Sequence, residues 1–435
     1  MTRMKESGID WIGQIPEEWE VIKVKFFTYM KGRIGWQGLK ADEFIDEGPY
    51  LVTGTDFKNG RVNWDTAYHI SQKRYEQAPE IQLKQGDLLV TKDGTVGKLA
   101  LIDELPDSAS LNSHLLVLRP LFNRYDNHFL YYVLSSLEFK NYFQKVSIGS
   151  TMDSLSQEKM GEFIFALPNI NEQNSISRYL DKKTAQLDKA KALLEEQIQK
   201  LKDYRASLIY ETVTKGLDKN IPMKDSGIDW IGKVPQGWGV SKLKNLLKIK
   251  DGTHDTPSYV DSGIPLITTK NINSFSNYID FSTAKNISYK DYILINRRSD
   301  VEYGDILMPM IGTVGGAVQV TTKNSFSIKN VALFKAGFDL IMSKYLYYQL
   351  NSDIVNNQLE FLMSGGVQSF VSISILEQLQ IINPSEKDKK KIVRFLDEKT
   401  QKIDKLIQIK NQQIENINKQ RQTLIYDYVT GKRRV

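Results

Sequence analysis

MKESGIDWIGQIPEEWEVIKVK, residues 4–25, returns as MKDSGIDWIGKVPQGWGVSKLK, residues 223–244, with 14 of the 22 positions identical. Two stretches of similar composition do not match that well by chance. Further echoes follow at a nearly constant offset. Gly86-Asp87-Leu88-Leu89 returns as Gly304-Asp305-Ile306-Leu307, and Gly94-Thr95-Val96-Gly97 as Gly312-Thr313-Val314-Gly315. Arg178-Tyr179-Leu180-Asp181 returns as Arg394-Phe395-Leu396-Asp397, and Leu208-Ile209-Tyr210 as Leu424-Ile425-Tyr426. The period is far too long for a solenoid or propeller unit, which repeats every ~20–50 residues. The chain is a duplicated half-protein, which predicts pseudo-twofold symmetry within one polypeptide.

Each half opens with Pro16 or Pro235 and a Trp three residues on, then turns to strand-like runs. Tyr50–Thr53, Asp87–Val90 and Leu115–Leu118 are short, apolar and bounded by Gly, Asp or Pro, as strands are. Their partners are Pro265–Thr268, Asp305–Met308 and Val331–Phe334. Asn59-Gly60 is a hairpin-turn dipeptide. A helix carrying Tyr131-Tyr132 follows in the first half, and one carrying Tyr347-Tyr348 in the second. These tyrosines read as core more readily than as stacking platforms.

Each half then closes in a long helix. After Pro168 no Pro or Gly occurs until Gly216, and Leu180, Leu187, Leu194, Leu201 and Leu208 fall at seven-residue spacing, with Ala190 and Tyr204 between them. That is a coiled-coil seam. The second copy offers Leu396, Ile403, Lys410, Ile417 and Leu424, flanked by Leu406, Ile407 and Ile414. A helix of ~40 residues runs ~60 Å at 1.5 Å per residue, and it cannot bury such a stripe alone. The other copy is the expected partner, antiparallel because each helix follows its globular module in the same chain order. The alternative is that each helix folds back on its own module. The expected fold class is α+β: two globular α/β modules, 1–165 and 218–380, separated by long helices within 166–217 and 381–435 that pair as an antiparallel coiled coil.

Composition sets outer bounds. The chain has 435 residues, 41% hydrophobic and 25% charged, as in an ordinary globular protein. No apolar run approaches the ~18 residues that span a bilayer, and Met1–Glu6 leads into no apolar signal segment. With no cysteine there are no disulfides, thiolate metal sites or cysteine nucleophile. A cytoplasmic setting without membrane association is expected. The net charge of +6 is uneven: Lys+Arg minus Asp+Glu is 29 − 31 = −2 over 1–220 and 29 − 21 = +8 over 221–435. That surplus is small for a general nucleic-acid binder.

The opening motifs ESGIDWIGQIPEEW and DSGIDWIGKVPQGW, with KGRIGWQGLK (31–40), KDGTHDTP (250–257), the paired Gly-Asp and Gly-Thr-Val-Gly elements and LPNINEQNSISRYLD (167–181), resemble the specificity subunit of type I restriction-modification systems. The resemblance covers essentially the whole chain. One departure is that Glu172-Gln173 at the first helix entry becomes Glu386-Lys387 at the second. The resemblance implies two target recognition domains, each reading half of a split sequence in double-stranded DNA. It implies helices that set the spacing and dock two methyltransferase subunits, with restriction subunits added for cleavage. No cofactor is expected on this chain; S-adenosylmethionine, ATP and Mg are expected on the partner subunits. Because the modules differ in their middles, the site should be asymmetric.

Base edges are read by side chains with fixed donors and acceptors, Arg or Lys for guanine and Asn or Gln for adenine. In the first module the candidates are Lys58, Asn59 and Arg61 of the turn, with Lys31, Arg33 and Gln37; a plain solvated hairpin explains the turn equally well. In the second they are Thr253, His254, Lys270, Asn271 and Asn273. His254 as a lone metal ligand is not expected, with no Cys and three other His in the chain. The glycine loops place Lys92, Thr95, Lys98 and Thr313 where backbone N–H groups approach a phosphate, or simply close a tight strand-to-strand turn; they lack P-loop spacing.

No Asn-Pro-Pro-aromatic motif, methyl-donor loop or metal-spaced acid cluster occurs, so no catalytic residue is assigned. Two other readings compete: an enzyme with two active sites in the duplicated loops, and a protein scaffold with no role on DNA.

Overall fold

The computed structural model describes residues 3–34, 39–147, 154–312, 315–363 and 370–435. It resolves into two compact units, residues 1–194 with 412–435, and residues 195–411.

In the first unit the strands Thr28–Lys31, Leu115–Pro120, Leu88–Thr91, Leu99–Leu101, Arg61–Val62 and Phe57–Lys58 form one sheet in that order. A smaller sheet orders Ala109–Leu111, Phe44–Val52 and Tyr68–Ile70. The central strands Leu88–Thr91 and Leu115–Pro120 are apolar except for Thr91 and Arg119 near their ends, because both faces are covered. Leu88, Val90, Leu116 and Leu118 enter the core shared with the helices, whereas Leu89, Leu115 and Val117 enter a second core with Val52, Ala109 and Leu111. That alternation is the two-residue period of a strand. The second unit repeats it. Ile306, Met308, Ala332 and Phe334 face one core, and Leu307, Val331 and Leu333 face the other. Its sheets are Ile249–Asp251, Val331–Phe334, Ile306–Pro309, Val318–Gln319 and Tyr259–Val260, Lys285–Ile287, Ile264–Ile267, Ser327–Ile328.

The first long helix spans Ile170–Lys215 and the second Glu386–Val429. Asn169 caps the first by accepting from the Glu172 N–H at 3.0 Å, and Ser385 the second by accepting from the Asp388 N–H at 3.2 Å. Within each unit the helices run antiparallel. In the first, Tyr179 meets Tyr428 at 4.6 Å between ring centres and Arg421 reaches Asp188 at 3.5 Å. In the second, Arg205 reaches Asp404 at 3.1 Å and the Lys410 ammonium donates to Gln197.

The shielded line on the first helix is Leu180, Thr184, Leu187, Lys191, Leu194, Ile198, Leu201, Arg205, Leu208 and Thr212. On the second it is Leu396, Thr400, Ile403, Ile407, Lys410, Ile414, Ile417, Arg421, Leu424 and Tyr428. Steps of three and four alternate, as in a heptad seam. The alternate positions are therefore Thr184 and Arg205 rather than Ala190 and Tyr204. Tyr204 is exposed, and so is Leu406 at 47%, because Ile407 takes the inward place beside it.

The duplicated opening motif grips a helix C-terminus in each unit. Ile209 and Val213 pack with Ile231, Val234 and Trp238, and Ile425 and Val429 with Ile12, Ile15 and Trp19. Gly216 (φ +71) and Gly431 (φ +71) end the two helices in the left-handed conformation. A Cβ on Gly216 would lie 3.0 Å from the Trp238 ring, and one on Gly431 2.3 Å from Pro16 Cδ.

Tyr132 donates to Asp181 at 2.6 Å beside Thr184, and Tyr348 donates to Asp397 at 2.6 Å beside Thr400. These tyrosines are buried in the cores. The matching bonds fix the helix offset at 216, which places Gln173 opposite Lys389 rather than Lys387; both are buried.

Candidate nucleic-acid interface

Strand directions gather the first unit's candidates at one edge of its larger sheet. Thr91 pairs with Leu115 and Lys31 with Val117 in antiparallel ladders, so the end of Leu88–Thr91, the end of Thr28–Lys31 and the start of Leu115–Pro120 lie together. Leu99–Leu101 and Arg61–Val62 are parallel neighbours, Leu101 beside Arg61. The segments leading into them, the loop 92–98 and the turn Asn59-Gly60, therefore share that edge.

Local chemistry shapes each piece. The loop is cinched by Thr91, whose hydroxyl donates to the Thr95 carbonyl at 2.6 Å and accepts from the Lys98 N–H at 2.9 Å. Lys92, anchored at 2.8 Å to the His114 carbonyl and at 2.8 Å to the Leu155 N–H, starts the loop. Thr95 and Lys98 face solvent. Asn59 (φ +51) and Gly60 (φ +75) form the type I′ geometry that their residue types favour. Gly60 lies so close to Tyr131 that a Cβ would meet its hydroxyl at 2.3 Å. Arg61 is ion-paired with Asp103, and Lys58 and Lys31 are exposed.

Arg33 is placed differently. It is only 3% exposed, donating to the Leu111 carbonyl and the Ser110 hydroxyl, each at 2.9 Å. Burial pulls its guanidinium down to about 10, with the neighbouring Arg74 charge adding to the effect. It ties the edge together from beneath. Gln37 lies outside the described residues.

In the second unit, Asp251 pairs with Ala332 and Pro309 with Val331, so the loop after Asp251, the loop after Pro309 and Asn330 meet at one edge. His254 sits at its centre, 3.0 Å from the Asn330 side-chain oxygen and 2.9 Å from Asp251. Arg298 donates to both Asp251 oxygens, at 2.7 and 2.6 Å. Burial works against the Asp251 charge, but the bonds from Arg298 and His254 more than offset it and hold the carboxyl below its ordinary range. Thr253 is half-buried beside Lys329, and Lys270 and Asn273 are exposed. Asn271 is buried and holds its own turn, accepting from the Thr268 N–H at 2.9 Å and donating to the Asp280 carbonyl at 3.2 Å. Thr313 lies outside the described residues.

Sequence reasoning did not single out His114, Asp251, Arg298, Asn330 or Phe370, which the fold brings to these edges. Asn330 carried one signal: an Asn just before a strand, here at φ +56. Among the described residues no group of three or more His, Cys, Asp or Glu is placed to hold a metal ion. Nor, among the described residues, is any helix long and apolar enough to cross a membrane.

Comparison with known proteins gives a consistent answer. The family described as the type I restriction modification DNA specificity domain matches twice, at residues 16–202 and 235–419. The putative type I restriction enzyme MjaX specificity subunit of Methanocaldococcus jannaschii is 24% identical over 98% of this chain and 96% of its own length. The MjaVIII specificity subunit of the same organism is 25% identical over 97% and 94%. A chain from a structure of type I R-M complex assembly and conformational transition superposes with a TM-score of 0.67 at 16% identity, covering 96% of this chain and 99% of that one.

Proposed function

Since the chain belongs to the type I restriction-modification DNA specificity family, we propose that each unit reads one half of a bipartite, asymmetric site in double-stranded DNA. The observation that carries this is the repeated loop edge, built on the same strand pairings in both units and dressed with different side chains. Lys31, Lys58, Lys98 and Lys270, all exposed, and the half-exposed Lys92 supply phosphate contacts. Those contacts position the protein, while the polar groups between them read base edges.

In this reading the recognition modules are 1–165 and 218–380. The helices within 166–217 and 381–435 set the distance between half-sites and dock two methyltransferase subunits, to which restriction subunits are added. The chain itself has no catalytic role. S-adenosylmethionine, ATP and Mg belong to the partner subunits, in the cytoplasm of a prokaryote.

Mapping methylated adenines in cells that express the chain with a methyltransferase partner tests the proposal. A two-part motif is expected. Exchanging residues 26–150 for another recognition module should rewrite one half of that motif and leave the other intact. Changes in both halves would refute modular reading.

A further inference from the structure

The backbone bonds of the two edges put their residues in one-to-one correspondence. In the first unit the Lys92 N–H donates to the His114 carbonyl at 2.8 Å, and the Leu155 N–H donates to the Lys92 carbonyl at 2.8 Å. In the second the Met310 N–H donates to the Asn330 carbonyl at 3.2 Å, and the Val371 N–H to the Met310 carbonyl at 2.9 Å. Lys92 therefore corresponds to Met310, His114 to Asn330 and Leu155 to Val371. One residue further out, Asp93 corresponds to Ile311 and Ser154 to Phe370.

The correspondence exposes a contrast in chemistry. The first edge is polar: His114, its side chain 62% exposed, stands 3.6 Å from Asp93. The second edge presents Ile311, 41% exposed, bridged to Phe370, 38% exposed. The His254 ring meets Phe370 edge-on, 6.4 Å between centres at 69°. This apolar spot stands on a stiff base. His254 is held by Asn330 and Asp251, and Asp251 by both bonds from Arg298. Cations flank it. Lys329 donates to Thr256 in the same loop, and the Arg298 side chain is more than half exposed.

An exposed apolar contact framed by cations suits a duplex that offers phosphates around one apolar group. In the major groove that group is the thymine C5-methyl; every other distinguishing feature there is a hydrogen-bond donor or acceptor. Resting on the DNA-reading function argued above, we propose that Ile311 and Phe370 read a thymine methyl in the half-site of the second unit. The first unit, with Asp93 and Ser154 at those places and His114 beside Asp93, reads hydrogen-bonding edges instead. The two half-sites then differ in the kind of contact as well as in sequence.

The test is selection from random duplex libraries by the full chain co-expressed with its methyltransferase partner. One library is made with thymidine and one with deoxyuridine, which keeps the pairing edge and lacks only the methyl. A thymine position in one half-motif is expected to lose its preference in the uracil library, with affinity for the selected site falling about fourfold, the worth of one buried methyl-sized group. The other half-motif should persist unchanged. Phe370→Ala should lose affinity for the thymine duplex by a similar factor and no longer distinguish it from the uracil duplex, with an unchanged thermal transition. If that variant does not fold, Ile311→Ser and the wild-type comparison decide. The same motif and affinity from both libraries overturns the methyl contact while leaving the DNA-reading function standing. No motif from either library overturns the function, and the contact with it.

Discussion

Arg205 of the first long helix lies 3.1 Å from Asp404 of the second. Arg421 repeats the arrangement with Asp188 at 3.5 Å. Arg205 and Arg421 occupy equivalent places in the seam, and Asp188 and Asp404 flank it. Each unit thus carries a seam arginine answered by an aspartate of the other helix. Burial pushes the Asp404 carboxyl up, and the Arg205 charge only partly opposes this. A charged seam residue with its partner on the other helix specifies register, since sliding by a turn leaves it unanswered.

Arg205→Ala is therefore expected to destabilise the second unit by about 1–2 kcal/mol, below the usual cost of breaking a buried pair because Asp404 keeps contact with water. Replacing Arg205 and Asp404 together by leucine should recover most of that loss. Urea denaturation of the three proteins measures both. A double replacement as damaged as the single one would contradict this account.

Seam register makes a second prediction from adjacent residues. Ile407→Ala should cost about 2–4 kcal/mol, as for a buried aliphatic side chain. Leu406→Ala, one residue away and facing water, should cost under about 0.5 kcal/mol. Equal losses in thermal denaturation would place the helix face wrongly.

Glycines at positive φ separate conformation from crowding. Gly94 (φ +72) has nothing within 4 Å of the point where a Cβ would stand, so Gly94→Ala should cost about 1 kcal/mol from backbone strain alone. Gly431→Ala adds a close approach to Pro16 and should cost about 2–4 kcal/mol. Chemical denaturation of both variants checks the order.

A fourth prediction concerns Glu162, which receives hydrogen bonds from Lys25 and Lys23 and whose carboxyl is pulled down to about 2. Its folded value lies below the ordinary 4.5. The cluster's contribution is therefore present above pH 4.5 and lost as pH falls toward 2. Titration of the Glu162 carboxyl by NMR should give a midpoint near 2, and Lys25→Ala should move it back toward 4.5. An unmoved midpoint would refute the pairing.

Much of the fold was legible because its signals are apolar and periodic. Most of the repeated strands fall within a residue or two of the runs that suggested them, Leu88–Thr91 for 87–90 and Ile306–Pro309 for 305–308, whereas the strand holding Tyr50 begins earlier, at Phe44. The leucine heptads mark one line of the seam. The other line was hidden on the first helix, since Thr184 and Arg205 are polar and periodicity counts only apolar residues, while Ile407 and Ile414 marked it on the second. The site was less legible for the same kind of reason. Lys58 and Lys98 are exposed cations, as their types suggest, but Arg33 and Asn271 are polar residues that serve the scaffold from inside. Nothing in the spacing of His114 or Phe370 reveals that strand pairing brings them to an edge.

The strands Leu88–Thr91 and Ile306–Pro309 surrender both faces to packing and meet solvent only through the loops at their tips, as at Lys98 and Ile311. A mutation at a tip changes the chemistry offered to a ligand without opening a void in either core. Such a chassis tolerates drift where discrimination resides and resists it everywhere else, so new preferences can accumulate in a lineage without eroding its capacity to fold.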